Sequence, residues 1–102
     1  MFRILLVDDE AQERDGIRFL IEKYKLPLTV VEAQNGQKAL EYLKEHPVDI
    51  LFTDVKMPYK DGLELAKETF QFNQGIRIVI FSAYGEFEYA KRAMEANAVD
   101  YL

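Results

Sequence analysis

Apolar positions along this chain form two alternating kinds of segment. Short unbroken runs, Ile4-Leu5-Leu6-Val7, Ile50-Leu51-Phe52 and Ile78-Val79-Ile80-Phe81, have the pattern of strands covered on both faces. Between them apolar residues recur at helical spacing. Ile17, Leu20, Ile21 and Tyr24 mark a helix from Ala11 to about Lys25, closed by Pro27. Ala39, Leu40 and Leu43 mark a second helix, entered through the Asn35-Gly36 turn and ended before Pro47. Leu63 to about Phe72 reads as a third, and Phe87, Ala90 and Met94 line a fourth. Strands are expected at Arg3 to Val7, Thr29 to Ala33, Ile50 to Thr53 and Arg77 to Phe81, and a fifth begins at Val99 to Leu102. Strict strand–helix alternation predicts an α/β domain with a parallel sheet and helices on both faces.

Length and charge narrow the function classes. At 102 residues the chain is one domain with room for a real core. It contains no cysteine, so disulfides and thiolate metal sites are excluded, and a reducing cytoplasm is the expected setting. No apolar run approaches a membrane span, and Met1-Phe2-Arg3 enters a strand, not an export signal. With 18 acidic against 13 basic residues the net charge is -5, which opposes contact with a phosphate backbone. DNA contact is therefore expected only through another domain or a partner.

Two of the apolar runs end in acid: Val7 is followed by Asp8-Asp9-Glu10, and Phe52-Thr53 by Asp54. If these runs are neighbouring parallel strands, their carboxylates meet at one sheet edge, where like charges resist joint ionisation unless a cation sits among them. Sites in open parallel sheets lie beyond the carboxyl ends of strands, and Ser82, just after the fourth strand, falls at that same edge. Hard oxygen ligands suit Mg2+. One carboxylate to attack phosphorus, a metal and a hydroxyl donor would suffice for phosphoryl transfer. Downstream of Asp54, Asp61 with Glu64 resembles a capping pair for the third helix.

These motifs resemble the receiver domains of two-component response regulators: Val7-Asp8-Asp9-Glu10, Asp54-Val55-Lys56-Met57-Pro58 with Asp61-Gly62, Ser82-Ala83, and Asp100-Tyr101-Leu102. The resemblance covers the whole chain. It implies a flavodoxin-like doubly wound five-stranded sheet of order 2-1-3-4-5. It implies Asp54 as phosphoacceptor from a sensor histidine kinase, Asp9 as the main Mg2+ ligand with Asp8 as helper, and the Lys56 carbonyl completing the protein ligands. Ser82 stands at the family's switch-hydroxyl position and Tyr101 at its aromatic switch position. Lys56 and Tyr84 occupy the two variable positions that flank the phosphoryl group, where a long cation and a ring are expected to slow its loss to water. Tyr84 to Ala93 is further similar to receivers that precede AraC-type helix-turn-helix output domains, which implies a phosphorelay controlling transcription through an output domain outside these residues.

The family pattern also places a lysine, usually followed by proline, and then a final helix shortly after the position of Leu102. From this, residues 1–102 are expected to be a receiver truncated at its C-terminal end, with one sheet face under-covered near the first helix. The exposed C-terminal sheet edge would then invite pairing with another copy. Two other function classes stand beside the phosphoacceptor reading. One is a receiver-like dimerisation or scaffold module without switching. The other is an aspartyl-nucleophile phosphohydrolase, which lacks here the spaced aspartate pair on one strand. Plainer roles compete residue by residue: Asp8-Asp9 as helix-capping acids, Asp54 as a turn residue, Ser82 as a structural hydroxyl, Tyr101 as a packing ring, and Lys56 in solvent. His46 reads as a solvent-facing helix end, and Met57 and Met94 as packing residues.

Overall fold

The computed structural model describes residues 1–81 and the backbone of residues 100–101. Strand β1 (Phe2–Val7) leads to helix α1 (Ala11–Lys23), β2 (Leu28–Ala33), α2 (Gly36–Glu45), β3 (Ile50–Asp54), α3 (Gly62–Phe72), β4 (Arg77–Phe81) and β5 (Asp100–Tyr101). All strand pairs are parallel and the sheet order is β2-β1-β3-β4-β5, the doubly wound order expected. The expectations for Ser82, Tyr84 and the fourth helix through Phe87, Ala90 and Met94 lie outside the described residues, as does the side chain of Tyr101.

Strand alternation sorts the apolar runs onto two faces. Leu5, Val7, Leu51, Val55, Ile78 and Ile80 point to one side, where Leu40 and Leu43 of α2 and Leu63, Leu65 and Ala66 of α3 close over them as one buried cluster. Ile4, Leu6, Ile50 and Phe52 point to the other side, where, among the described residues, Ile21 of α1 is buried with Ile4 and Leu6, and Ile17, Ile50 and Phe52 are partly buried against them. Each fully buried leucine in the first cluster contributes about 2 kcal/mol by leaving water.

The helices begin where short polar side chains can hold free backbone amides. Asn35 accepts from the Lys38 amide at 2.8 Å, and Asp61 accepts from the Glu64 amide at 2.8 Å, confirming the expected cap on α3. One expectation fails along α1. The helix ends at Lys23, and Lys25 adopts φ 51 in the turn towards β2. Tyr24 therefore caps the helix and is exposed beneath the Lys23 ammonium instead of packing inward; Leu20 is likewise exposed.

Candidate metal centre

Asp8 and Asp54 stand at the ends of adjacent strands. Alternation continues the Ile4, Leu6 series into Asp8 and the Ile50, Phe52 series into Asp54, so both carboxylates fall on the α1 side of the sheet. The same alternation separates the acidic doublet: Asp8 is buried at 1% exposure, whereas Asp9 is exposed. Helix α1 then brings Glu13, in its first turn, back over this edge. One carboxylate oxygen each from Asp8, Glu13 and Asp54 lie within 4.8 Å of one another.

Neighbouring backbone holds two of these groups. Asp8 Oδ1 accepts from the Glu10 amide at 2.9 Å, and the Asp8 carbonyl accepts from the Arg14 guanidinium, tying α1 to the end of β1. Arg14 and Arg18 both grip Glu32 on β2, at 3.0 and 2.7 Å. Asp54 Oδ1 accepts a long bond from the Lys56 amide at 3.4 Å. The loop from β3 to α3 then folds tightly against Asp54. Tyr59 takes φ 70, and the Gly62 amide donates to the Val55 carbonyl at 2.8 Å. A Cβ at Gly62 would lie 2.1 Å from the Asp54 carbonyl oxygen, so this close approach admits only glycine.

The electrostatics are those of anions confined together. Burial, then the facing Glu13 carboxyl, pushes the Asp8 carboxyl up to about 7. Burial, then the charge of Asp8, pushes Asp54 up to about 6. Asp8 Oδ2 is buried with no hydrogen-bond partner among the described residues. Asp8 and Glu13 are both acceptors when ionised, so they bond to each other only if one holds a proton. A divalent cation at this point would satisfy the orphaned oxygen and reverse the repulsion. An all-oxygen donor set fits Mg2+, so the residues present suit the ion.

Of the residues singled out from sequence, the structure thus brings Asp8 and Asp54 together and leaves Asp9 outside their group, although its charge still contributes to raising Asp54. Lys56 is exposed beside Asp54. Glu13 is the residue that sequence reasoning missed. Its signal was present, since it lies one turn before Ile17 on the helix stripe that meets the sheet.

Residues 4–102 match the response regulator receiver domain family, and the chain belongs to that family. The transcriptional regulatory protein YesN of Bacillus subtilis strain 168 is 42% identical over 103 residues, which is 100% of this chain and 28% of YesN. Among solved structures, the receiver domain of AraT, a response regulator from Geobacillus stearothermophilus, is 40% identical, with a TM-score of 0.87 over 99% of this chain and 79% of that one. The response regulator TrrA of Thermotoga maritima, solved with Mg2+ and BeF, is 28% identical, with a TM-score of 0.88 over 100% of this chain and 85% of that one. The chain spans less than half the length of the curated regulators it matches. It is a receiver domain, a signalling domain of response regulators, and the matches favour neither the hydrolase nor the scaffold alternative. Among the described residues no helix is long and apolar enough to cross a membrane.

Proposed function

We propose that this domain accepts a phosphoryl group from a sensor histidine kinase onto Asp54, in the presence of Mg2+, and that the regulator containing it controls transcription in the cytoplasm. The observation that carries the reading is the position of Asp54: half-buried at the carboxyl end of β3, its carboxylate beside Asp8 and Glu13, in a chain that matches the receiver family over residues 4–102. Bound Mg2+ would neutralise charge on the carboxylates and on the incoming phosphoryl oxygens. Asp54 supplies the nucleophilic oxygen. As its bond to phosphorus forms, the phosphorus–nitrogen bond of a phosphohistidine breaks, and the imidazole nitrogen leaves with that electron pair and takes a proton from water.

Other residues of the chain supply position and response. The Asp54 hydrogen bond from the Lys56 amide holds the carboxylate, and the Lys56 carbonyl, in the loop after β3, and Asp9, in the loop after β1, are the further oxygen donors. Ser82 directly follows Phe81, whose backbone is in register with Asp54, and this supports its role as the hydroxyl that meets the phosphoryl group. Tyr101 is in register with Ile80 on the adjacent strand, in keeping with an aromatic switch that answers Ser82. Lys56 and Tyr84 set the lifetime of the phosphorylated state. DNA is reached through an output domain, as the names of the relatives suggest.

The test is intact-mass analysis after incubation with Mg2+ and acetyl phosphate. One phosphoryl adduct on the wild type, lost in Asp54→Ala, is the expected result. An adduct that persists in Asp54→Ala, or none in the wild type, would remove the reading.

A further inference from the structure

Three carboxylates converge where the motif supplied only aspartates at strand ends. Glu13 sits in the first turn of α1, where an acid ordinarily serves the helix dipole and can do so from solvent. It is instead half-buried, with a carboxylate oxygen within 4.8 Å of those of Asp8 and Asp54. Asp8 is 1% exposed, and its Oδ2, buried in the same cluster, has no hydrogen-bond partner among the described residues. Holding three acceptors around an orphaned oxygen is unfavourable unless something positive joins them. The adjacent Asp9, by contrast, is exposed and outside the group.

We propose that Glu13 is a further carboxylate of the divalent-cation site, ligating Mg2+ directly or through one bound water, in addition to the aspartates at the strand ends. The inference rests on the Mg2+-dependent phosphoacceptor reading. Magnesium takes oxygen ligands in a small octahedral shell and keeps several waters, so a side chain with the reach of glutamate can serve either way. Such a ligand gives the cation a second effect. Glu13 belongs to α1, whereas Asp8 and Asp54 belong to the sheet, so a shared ion ties the helix to the strand ends. Glu13 also borders the apolar groove formed by Ile17, Leu20, Phe52 and Phe81, which places the tie beside the open face of the sheet.

The test compares wild type, Glu13→Gln, Glu13→Asp and Asp8→Asn. Mn2+ binding is followed by loss of the free-ion EPR signal, Mg2+ binding by calorimetry, and thermal unfolding is recorded in chelator. Glu13→Gln is expected to weaken metal binding about tenfold or more, with Glu13→Asp between it and wild type. In chelator Glu13→Gln should unfold at a higher temperature than wild type, because one of three repelling charges is gone. A residue serving only the helix dipole would leave metal affinity unchanged and lower the unfolding temperature, and that pair of results overturns the proposal. Should Glu13→Gln fail to fold, Glu13→Asp decides alone: reduced affinity supports a ligand, wild-type affinity rejects one. Loss of binding in Asp8→Asn with full binding in Glu13→Gln would reject Glu13 and leave the phosphoacceptor reading standing. A wild type that binds neither ion would sink both.

Discussion

Among the described residues, the two faces of the sheet are built from the same strands yet are covered very differently. On one side α2 and α3 seal Leu5, Leu51, Ile78 and Ile80 to 0% exposure. On the other side α1 buries only Ile21, and a groove of about 520 Å3 runs along Ile17, Phe19, Leu20, Phe52 and Phe81, with Phe19 61% exposed. Phe52 and Phe81 stack on each other there, centroids 4.7 Å apart, and are half-buried. The carboxylates lie on this second, open side. Stability and chemistry are thus divided between the faces: the sealed side supplies rigidity, and the strand ends on the open side hold groups that oppose one another.

Replacing a sealed residue should have the largest effect. Leu51→Ala empties a site that surrounding strands and helices fill completely, and is expected to cost about 3–5 kcal/mol in urea unfolding. A cost below about 1 kcal/mol would mean that the sealed face is loosely packed in solution. Next comes Gly62→Ala, where the added methyl group meets the Asp54 carbonyl oxygen, a backbone atom that cannot swing aside. A loss of about 2–3 kcal/mol is expected. Because the displaced backbone carries Asp54, phosphorylation by acetyl phosphate should fall with it, whereas Leu51→Ala should slow phosphorylation only as far as it unfolds the domain.

The acidic edge makes stability depend on pH, with a sign opposite to that of most carboxylates. Asp8 and Asp54 are raised in the folded state from the ordinary 3.8 to about 7 and about 6, so between these values the folded chain binds more protons than the unfolded one. Stability contributed by their neutral forms is therefore full at low pH and lost as pH rises through about 4 to about 7. In chelator the domain should lose stability over that window, up to about 1.4 kcal/mol for each unit by which a carboxyl is raised on folding. Saturating Mg2+ should flatten the slope by stabilising the ionised carboxylates. Glu32 works the other way: Arg18, with Arg14, lowers its pKa, and its contribution is lost as pH falls from its ordinary 4.5 through the lowered value. A stability curve that rises with pH in chelator would contradict the close approach of the three carboxylates.

Much of this division was legible in the sequence, for physical reasons that also explain what was missed. Ile4 to Val7 and Ile78 to Phe81 have no polar interruptions, and only strands covered on both faces tolerate that, so these strand positions followed, whereas the strand order came from the resemblance to receiver domains. Asp61 announced its helix because a short acid before an apolar run has a cap to make, and it makes it with Glu64. Asp8 and Asp9 look equivalent as letters, but alternation sends the first inward and the second to solvent. Glu13 was passed over because a charge in a helix normally marks the wet face; its spacing from Ile17 was the clue that this turn points towards the sheet. The end of α1 at Lys23 was obscured by Tyr24, an apolar ring at the right interval that in fact caps the helix in water.

The smallest expected effect lies on the open face and tests the comparison most directly. Phe19 and Leu20 are 61% and 49% exposed, so most of their apolar area is already in water. Serine differs little from phenylalanine in helix propensity, and Phe19→Ser should therefore change stability by only about 0.5 kcal/mol. Loss of a ring that was truly sealed would instead cost about 3–5 kcal/mol, the same as the Leu51 cavity. Running the two variants in the same urea titration gives a ratio that does not depend on the extrapolation to water, because both share one denatured-state reference. A small cost at Phe19 with a large one at Leu51 shows that the face beside the acidic edge is open in solution. Equal costs would show that Phe19 is covered there, and the asymmetry between the faces would then belong to the arrangement of these residues alone.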